Sequence, residues 1–478
     1  MSTDYLIDLL RPIGLGLVGV LAIVPATASA ETLRQALLSA YKWNPQLDAQ
    51  RAALRATDES VPQARSNYRP SLTFSADASV QQNNTSPDTV GEGRSYPGSY
   101  TFTLNQQIFR GFRTRNAVNA AEANVRAGRE TLRSVEQTVL LSAVTAYMNV
   151  VRDTAVVRLR ENNVRVLSRN LKATQDRFSV GEVTRTDVAQ SRARRAGAVS
   201  DLDLARANLK TSRANYERVI GHVPRRLRSP SLPGRLLPKT LKVATIRAER
   251  ENPSIVSALY LEQAARYNVN EIAGELLPTV DVDATYSNAY AGGGATSFTQ
   301  TETGTVTGRL TVPLYQRGAV SSRVRQAKHT HVQRMQEVED NRTQARESAI
   351  AAWSQLNASR AQLRSANSQV QANRIALSGV REEEKVGQRT LLDVLDAEQE
   401  LLDSQVELVT TQRDLIVNGY TLISSTGRLT AQDISLSGKI YDPEAHYHKI
   451  RRKWFGISIT DRHGRTEHVT VKDKRPYK

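Results

Sequence analysis

The sequence contains no cysteine, which excludes disulfides and thiolate metal sites at once. Aromatic residues make up only 5% of its 478 positions, so the chain, rich in Ala, Arg and Gln, does not build a compact aromatic core. Proline is missing from two very long runs, residues 98–223 and 314–442, and runs without a helix breaker can stay helical throughout. After residue 30 no stretch approaches the ~20 consecutive apolar residues of a spanning helix, so a helical membrane protein is not expected. No phosphate-binding glycine loop occurs either. Of the seven histidines, His446, His448, His463 and His468 group in the tail, the one place where a metal could be held. No catalytic set, cofactor or metal centre is expected.

Negative charge is in short supply: 65 Lys and Arg stand against 48 Asp and Glu, a net charge of +17. An excess of that size raises nucleic acid or an anionic membrane surface as a partner. Here it is scattered in short clusters, Arg194 with Arg195, and Arg225, Arg226 and Arg228, and in the tail from Arg451, Arg452 and Lys453 onward. No nucleic-acid partner is expected. Residues 1–30 read as a secretory signal peptide: Arg11, an apolar run from Ile13 to Val24, and the small-x-small site Ala28-Ser29-Ala30. Asp4 and Asp8 depart from the usual positive start.

What is present is a repeat. At an offset of 208 residues, Thr32 matches Thr240, Ala36 matches Ala244, Asn44-Pro45 matches Asn252-Pro253, and Pro70 matches Pro278. Further on the offset becomes 206, matching Val118 to Val324, Ala143 to Ala349, Val180-Gly181 to Val386-Gly387, Asp187 to Asp393 and Gly221 to Gly427. The slip falls in turn-rich segments, where insertions are tolerated.

After each matched proline the residues alternate. Leu72, Phe74, Ala76, Ala78 and Val80 are set against Ser71, Thr73, Ser75, Asp77 and Ser79; Val280, Val282, Ala284 and Tyr286 are set against Thr279, Asp281, Asp283 and Thr285. These are two-sided strands, and return strands follow through Tyr100, Phe102 and Leu104, and through Val306, Leu310 and Val312. Each unit thus carries one hairpin with the length and pattern of transmembrane barrel strands. In the proline-free runs a seven-residue ladder, Ala143, Val150, Val157, Val164, Leu171 and Phe178, recurs as Ala349, Leu356, Leu363, Val370 and Leu377, which predicts coiled-coil packing. The ladders stop at Gly181 and Gly387, the expected turns of two helical hairpins. A helix over residues 111–178 would be ~100 Å long unless interrupted near Gly128.

The expected organisation is a signal peptide (1–30), a first unit (31–221; β-hairpin 71–109, helical hairpin 111–221) and a linker (222–239). A second unit (240–427; β-hairpin 279–315, helical hairpin 317–427) and a basic tail (428–478) complete it. Two hairpins cannot close a pore, since the smallest barrels have about eight strands and open edges cannot face lipid, so oligomerisation is expected.

The repeated strand-helix unit and the segment from Gly387 through Thr390, Asp393 and Asp396 to Leu401 resemble the TolC family of outer-membrane factors over residues 31–430. Asn44-Pro45, Asn252-Pro253, Ile108-Phe109 and Leu314-Tyr315 support the likeness. The resemblance implies a mixed α and β membrane protein, a homotrimer whose twelve-stranded β-barrel is continued by an α-helical periplasmic tunnel. It implies an outer-membrane efflux or type I secretion channel, embedded in outer-membrane lipid. Its partners would be a periplasmic adaptor and, through it, an inner-membrane transporter. It places a pore constriction at Asp393 and Asp396, gate links at Thr186, Asp187 and Arg389, and adaptor docking at the turns Val180-Gly181 and Val386-Gly387. Glu384 stands where the family has an aromatic partner and could pair with Arg389 or Lys385; Gln107 stands where the family has proline, which the second unit keeps as Pro313.

The alternative is a periplasmic coiled-coil adaptor, which would carry one helical hairpin flanked by lipoyl-like β segments rather than two equivalent units. Fractionation separates the two. The barrel reading predicts that the protein stays in the outer-membrane pellet after carbonate washing, and release into the supernatant would favour the adaptor.

Overall fold

A computed structural model describes residues 30–83, 93–293, 296–438, 440–460 and 466–467. The signal-like segment, both hairpin tips, His463 and His468 lie outside the described residues.

Each unit opens with capped helices. Thr32 caps α1 (Leu33–Trp43) in a reciprocal box with Gln35, and Asn44 caps α2 (Pro45–Asp58), followed by α3 (Ser60–Ser66). The Asn-Pro pairs have a local reason. Asn44 accepts from the Gln46 amide at 3.0 Å and Asn252 from the Ser254 amide at 2.9 Å, while proline at the first helical position lacks an N–H that would be unpaired anyway. Each Asn also donates to the end of its own unit's last helix, Asn44 to the Val219 carbonyl at 3.0 Å and Asn252 to the Ser425 carbonyl at 3.4 Å. One side chain therefore starts a helix and ties the unit's beginning to its end, twice.

In the first unit the chain then runs through β1 (Ser71–Ala78), the short β2 (Gln81–Asn83) and β3 (Gly93–Ser95), and β4 (Gly98–Arg110). Two long helices follow, α4 (Arg113–Ser179) and α5 (Arg185–Ile220). The second unit has α6 (Leu241–Glu251), α7 (Pro253–Ala273), β5 (Thr279–Gly293), β6 (Thr296–Thr311), α8 (Ala319–Lys385) and α9 (Leu391–Ser425). β1, β4, β5 and β6 form one antiparallel sheet in the order β1-β4-β5-β6, and β2 pairs with β3.

The alternation fixes the sheet's two faces. Leu72 lies opposite Leu104, Phe74 opposite Phe102, Phe102 opposite Tyr286 and Val280 opposite Leu310 on one face. The other carries Thr73 opposite Thr103, Asp281 opposite Arg309, and Asn105 donating to Asp283 at 2.6 Å. Among the described residues nothing covers the apolar face: Leu72 is 69% and Val306 76% exposed. Both return strands end level with Thr279, the first residue of β5: β4 reaches it at Arg110 past a bulge between Gln107 and Phe109, and β6 reaches it at Thr311 and stops there rather than at 315.

The helices α4 and α8 are 67 residues each, about 100 Å long. Gly128 does not interrupt α4. A Cβ there would sit 3.2 Å from Leu54 Cδ1, so its bare backbone lets α2 lie close. The ladders are buried where a partner helix lies alongside, Ala143, Val150, Ala349 and Leu356 among them. Phe178 is 46% exposed, because α5 begins only at Arg185 and leaves the last turn of α4 without cover.

The main core gathers α1, α2, α4, α5 and α9 around Leu37, Leu54, Leu140, Tyr147, Tyr216 and Ile220. The Tyr147 hydroxyl donates toward the carbonyls of Glu31 at 2.8 Å and Arg228 at 2.6 Å and accepts from the Arg228 amide at 3.1 Å. It thus holds the chain between the units against α4, and burial pushes its pKa up to about 12. Described residues between 431 and 450 lie against the first unit. The Ala431 amide donates to Glu136 at 2.6 Å, the Tyr441 amide donates to Tyr41 at 3.1 Å, and α10 (Ala445–Ile450) pairs His446 with the fully buried Asp58 at 3.1 Å. A two-residue ribbon, β7 (Ile459–Thr460) with β8 (Thr466–Glu467), closes the described chain.

Two glycines in the same left-handed conformation should respond differently to replacement. A Cβ on Gly387 (φ 78°) meets nothing within 4 Å, whereas one on Gly427 (φ 78°) would lie 2.3 Å from the Glu251 carbonyl oxygen. Gly387→Ala should cost only the left-handed strain, about 1–2 kcal/mol. Gly427→Ala adds a backbone clash, so thermal unfolding in detergent should show the larger drop in Tm for Gly427→Ala.

Candidate gate at the helical hairpin tips

The turns at the far end of the long helices are built alike. In each, a glycine just past the helix takes positive φ, and two amides fold back on the last carbonyls. Gly181 bonds Phe178 at 3.1 Å and Glu182 bonds Arg177 at 3.0 Å; Gly387 bonds Glu384 at 3.0 Å and Gln388 bonds Glu383 at 2.9 Å. The return helices start on capping boxes. Thr184 accepts from the Asp187 amide at 3.2 Å while Asp187 accepts from the Thr184 amide and hydroxyl, both at 2.8 Å. Thr390 and Asp393 repeat this at 3.3, 2.9 and 2.8 Å. These bonds, the backbone amide's first, hold both carboxyls below the usual aspartate range. The Thr-x-x-Asp spacing is the signature of such a cap, so this use of Asp187 and Asp393 had a signal in the sequence.

The expected partnerships differ within one protomer. Arg389 donates to Glu383 of its own turn at 2.9 Å, and no hydrogen bond or ion pair among the described residues joins it to Thr186 or Asp187. Glu384 meets neither Arg389 nor Lys385; it accepts from Arg177 at 2.9 Å, while Lys385 pairs with Glu382 at 2.7 Å. The reason is direction: Glu384 lies toward the first coil and Glu383 toward its own turn.

Three links tie the two coils together near the tips, through Arg177, Arg194 and Asn170 of the first coil. Arg177 joins Glu384, Arg194 joins Asp396, and Glu398, only 6% exposed, accepts from Arg381 at 2.6 Å and from Asn170 at 3.1 and 3.2 Å. Leu167, Ala198 and Leu395 pack beneath them. Asp396 remains 55% exposed, and Val180 and Val386 are each 70% exposed. No trio of His, Asp or Glu among the described residues is arranged to hold a metal ion, and no described helix is long and apolar enough to cross a membrane.

The profile of the family described as outer membrane efflux protein matches residues 36–222 and 246–428. The chain belongs to that family. It is 40% identical over 434 residues to the outer membrane efflux protein BepC of Brucella suis biovar 1, covering 91% of this chain and 93% of that one. It is 26% identical over 434 residues to the outer membrane protein TolC of Escherichia coli, covering 88% and 86%. Among solved structures, the outer membrane channel CmeC of Campylobacter jejuni superposes with a TM-score of 0.75 at 17% identity, over 88% of this chain and 89% of that one. The protein is thus a TolC-family efflux protein of the outer membrane that extends into the periplasm.

The caps make the tips sensitive to acid in a defined direction. A carboxyl whose folded pKa is depressed adds stability above its unfolded pKa of about 3.9 and loses it as pH falls through the lower folded value. The protection factor of the amides at the start of α9, measured against the intrinsic rate at each pH, should therefore hold at pH 5 and fall only below the ordinary aspartate range. In Thr390→Ala, which removes about 1 kcal/mol of capping, the same amides should exchange faster at pH 5 already.

Proposed function

We propose that three copies of the chain form one channel, in which four strands from each protomer close a twelve-stranded barrel and the long helices continue it as a periplasmic duct. The observation that carries this reading is the sheet itself. Its apolar face is exposed, and among the described residues no strand lies beside the outer edges of β1 and β6; open edges cannot persist in lipid. Helices of about 100 Å supply the length of a duct. The 40% identity to an efflux protein supports export as the task, in a tripartite pump or a type I secretion system with a periplasmic adaptor and an inner-membrane transporter. Deleting the gene and assaying drug susceptibility beside secreted proteins identifies the cargo class.

The gate reading places Asp393 and Asp396 of three protomers around one narrow axis, where crowded carboxylates favour cations. Arg177–Glu384 and Arg194–Asp396 hold the two coils of each protomer together. Arg389 of one protomer with Thr186 and Asp187 of the next closes the ring. The exposed turns Val180-Gly181 and Val386-Gly387 receive the adaptor, since glycine admits close backbone approach; bulky replacement of Gly387 should weaken transport while trimer assembly survives.

Planar-bilayer recordings test the gate. Neutralising Asp393 and Asp396 to Asn should lower cation selectivity and abolish block by multivalent cations. Arg177→Ala should raise conductance and leave selectivity in place. Wild-type behaviour in both variants overturns the gate assignment alone, while a stable monomer in detergent overturns the trimer.

A further inference from the structure

The segment after α10 has no task in the channel just described. From Arg451 the chain carries Arg451, Arg452 and Lys453 in succession, then Trp454, Phe455, Ile457 and Ile459, whose side chains are 66, 90, 69 and 46% exposed. A concentration of exposed large apolar residues beside consecutive basic ones is uncommon on a water-facing surface.

Its position is fixed from two directions. Upstream, Arg129 pairs with Glu444 at 2.6 Å, His446 with Asp58, and Tyr447 packs on Val61, Ala121 and Val125. Downstream, Arg69 donates to the Lys453 carbonyl at 2.8 Å and its guanidinium lies 4.6 Å from the centre of the Trp454 ring. Arg69 stands immediately before Pro70 and the first residue of β1. The Lys453 ammonium donates to the carbonyl and hydroxyl of Ser458 at 3.2 and 3.3 Å, closing residues 453–458 into a loop. This loop thus sits level with the helix-side end of the sheet, where Leu72, Leu310 and Leu314 are themselves 69, 65 and 93% exposed. The helices extend into the periplasm, so that level is the boundary of the periplasmic leaflet.

Trp favours the headgroup level of a bilayer, where its ring is half apolar and its N–H stays hydrated. Basic residues beside it are drawn to lipid phosphates. We propose that residues 451–459 are an interfacial anchor: Trp454, Phe455, Ile457 and Ile459 enter the periplasmic leaflet, and Arg451, Arg452 and Lys453 hold its phospholipid phosphates. The inference rests on the sheet being the membrane-embedded part of the protein. Continuity with the sheet's apolar face and the adjacent positive charge favour lipid over a neighbouring protomer as the cover.

The test uses the full chain reconstituted into vesicles of phosphatidylethanolamine and phosphatidylglycerol, with or without lipids brominated near the headgroup end of the acyl chains. The difference in fluorescence between wild type and Trp454→Phe isolates this indole from Trp43 and Trp353. Its emission should be quenched by the brominated lipid. Quenching should be lost, with a red shift, in the Phe455→Ser/Ile457→Ser double variant, and reduced in Arg452→Glu. A Trp454 component that brominated lipid leaves unquenched overturns the anchor, whether its emission is solvent-like, as for a bare loop, or blue-shifted, as for a loop covered by a second copy or turned into the lumen. Equal quenching in Arg452→Glu overturns the phosphate contact. Carbonate resistance and conductance of the same vesicles report on the barrel separately, so intact insertion with unquenched Trp454 removes the anchor and leaves the channel.

Discussion

The backbone of β1 and β6 sets the terms for the rest of the molecule. Inside the sheet the two middle strands are paired on both sides, yet β1 and β6 each have an outer edge beside which no other strand lies among the described residues. In hydrocarbon each such group costs several kcal/mol. No rearrangement within four strands removes two edges; only closure with other copies does. In the proposed trimer the same closure would give the long helices their side-by-side neighbours, because each pair of coils is attached to the sheet at fixed points. Assembly is then the condition for the sheet to sit in lipid, and the proposed tunnel follows from the proposed barrel.

Much of this was written in local sequence. The period of two in the strands, the period of seven in the helices and the repeated Asn-Pro pairs each correspond to a local energetic preference, and the structure shows what each does. The charge partners at the tips were less legible, for a physical reason. Whether Arg177 meets Glu384 depends on how two coils far apart in sequence are rotated about their axes, and a shift of one position on a helix turns a side chain by about 100°. Glu383 and Glu384, adjacent in sequence, consequently serve different partners. Phe178 shows the converse limit: its heptad position is correct, but burial requires a facing helix that has not yet begun.

The tips also show how one residue type takes two tasks. Asp187 and Asp393 occupy equivalent places in the two units and both cap a helix, which fixes the direction in which each return helix leaves its turn. Asp396, one helical turn further on, is bound instead to Arg194 of the other coil. An acid at the tip can therefore shape a turn or bind two coils, and those roles respond differently to acid, to salt and to the loss of a single basic partner. Buried Glu398, with two donors, belongs to the second kind and is the best shielded from water of the links near the tips.

The helices α4 and α8 have the same number of residues. Because both start from one sheet and their turns meet at Arg177 and Glu384, the two act as paired rulers read against a common zero. Inserting one residue in a single copy would push its tip forward by about 1.5 Å and rotate it by about 100°, parting that contact. Two units matched in this way cannot be edited separately: lengthening the long helices means altering both in step, by amounts that restore the heptad phase.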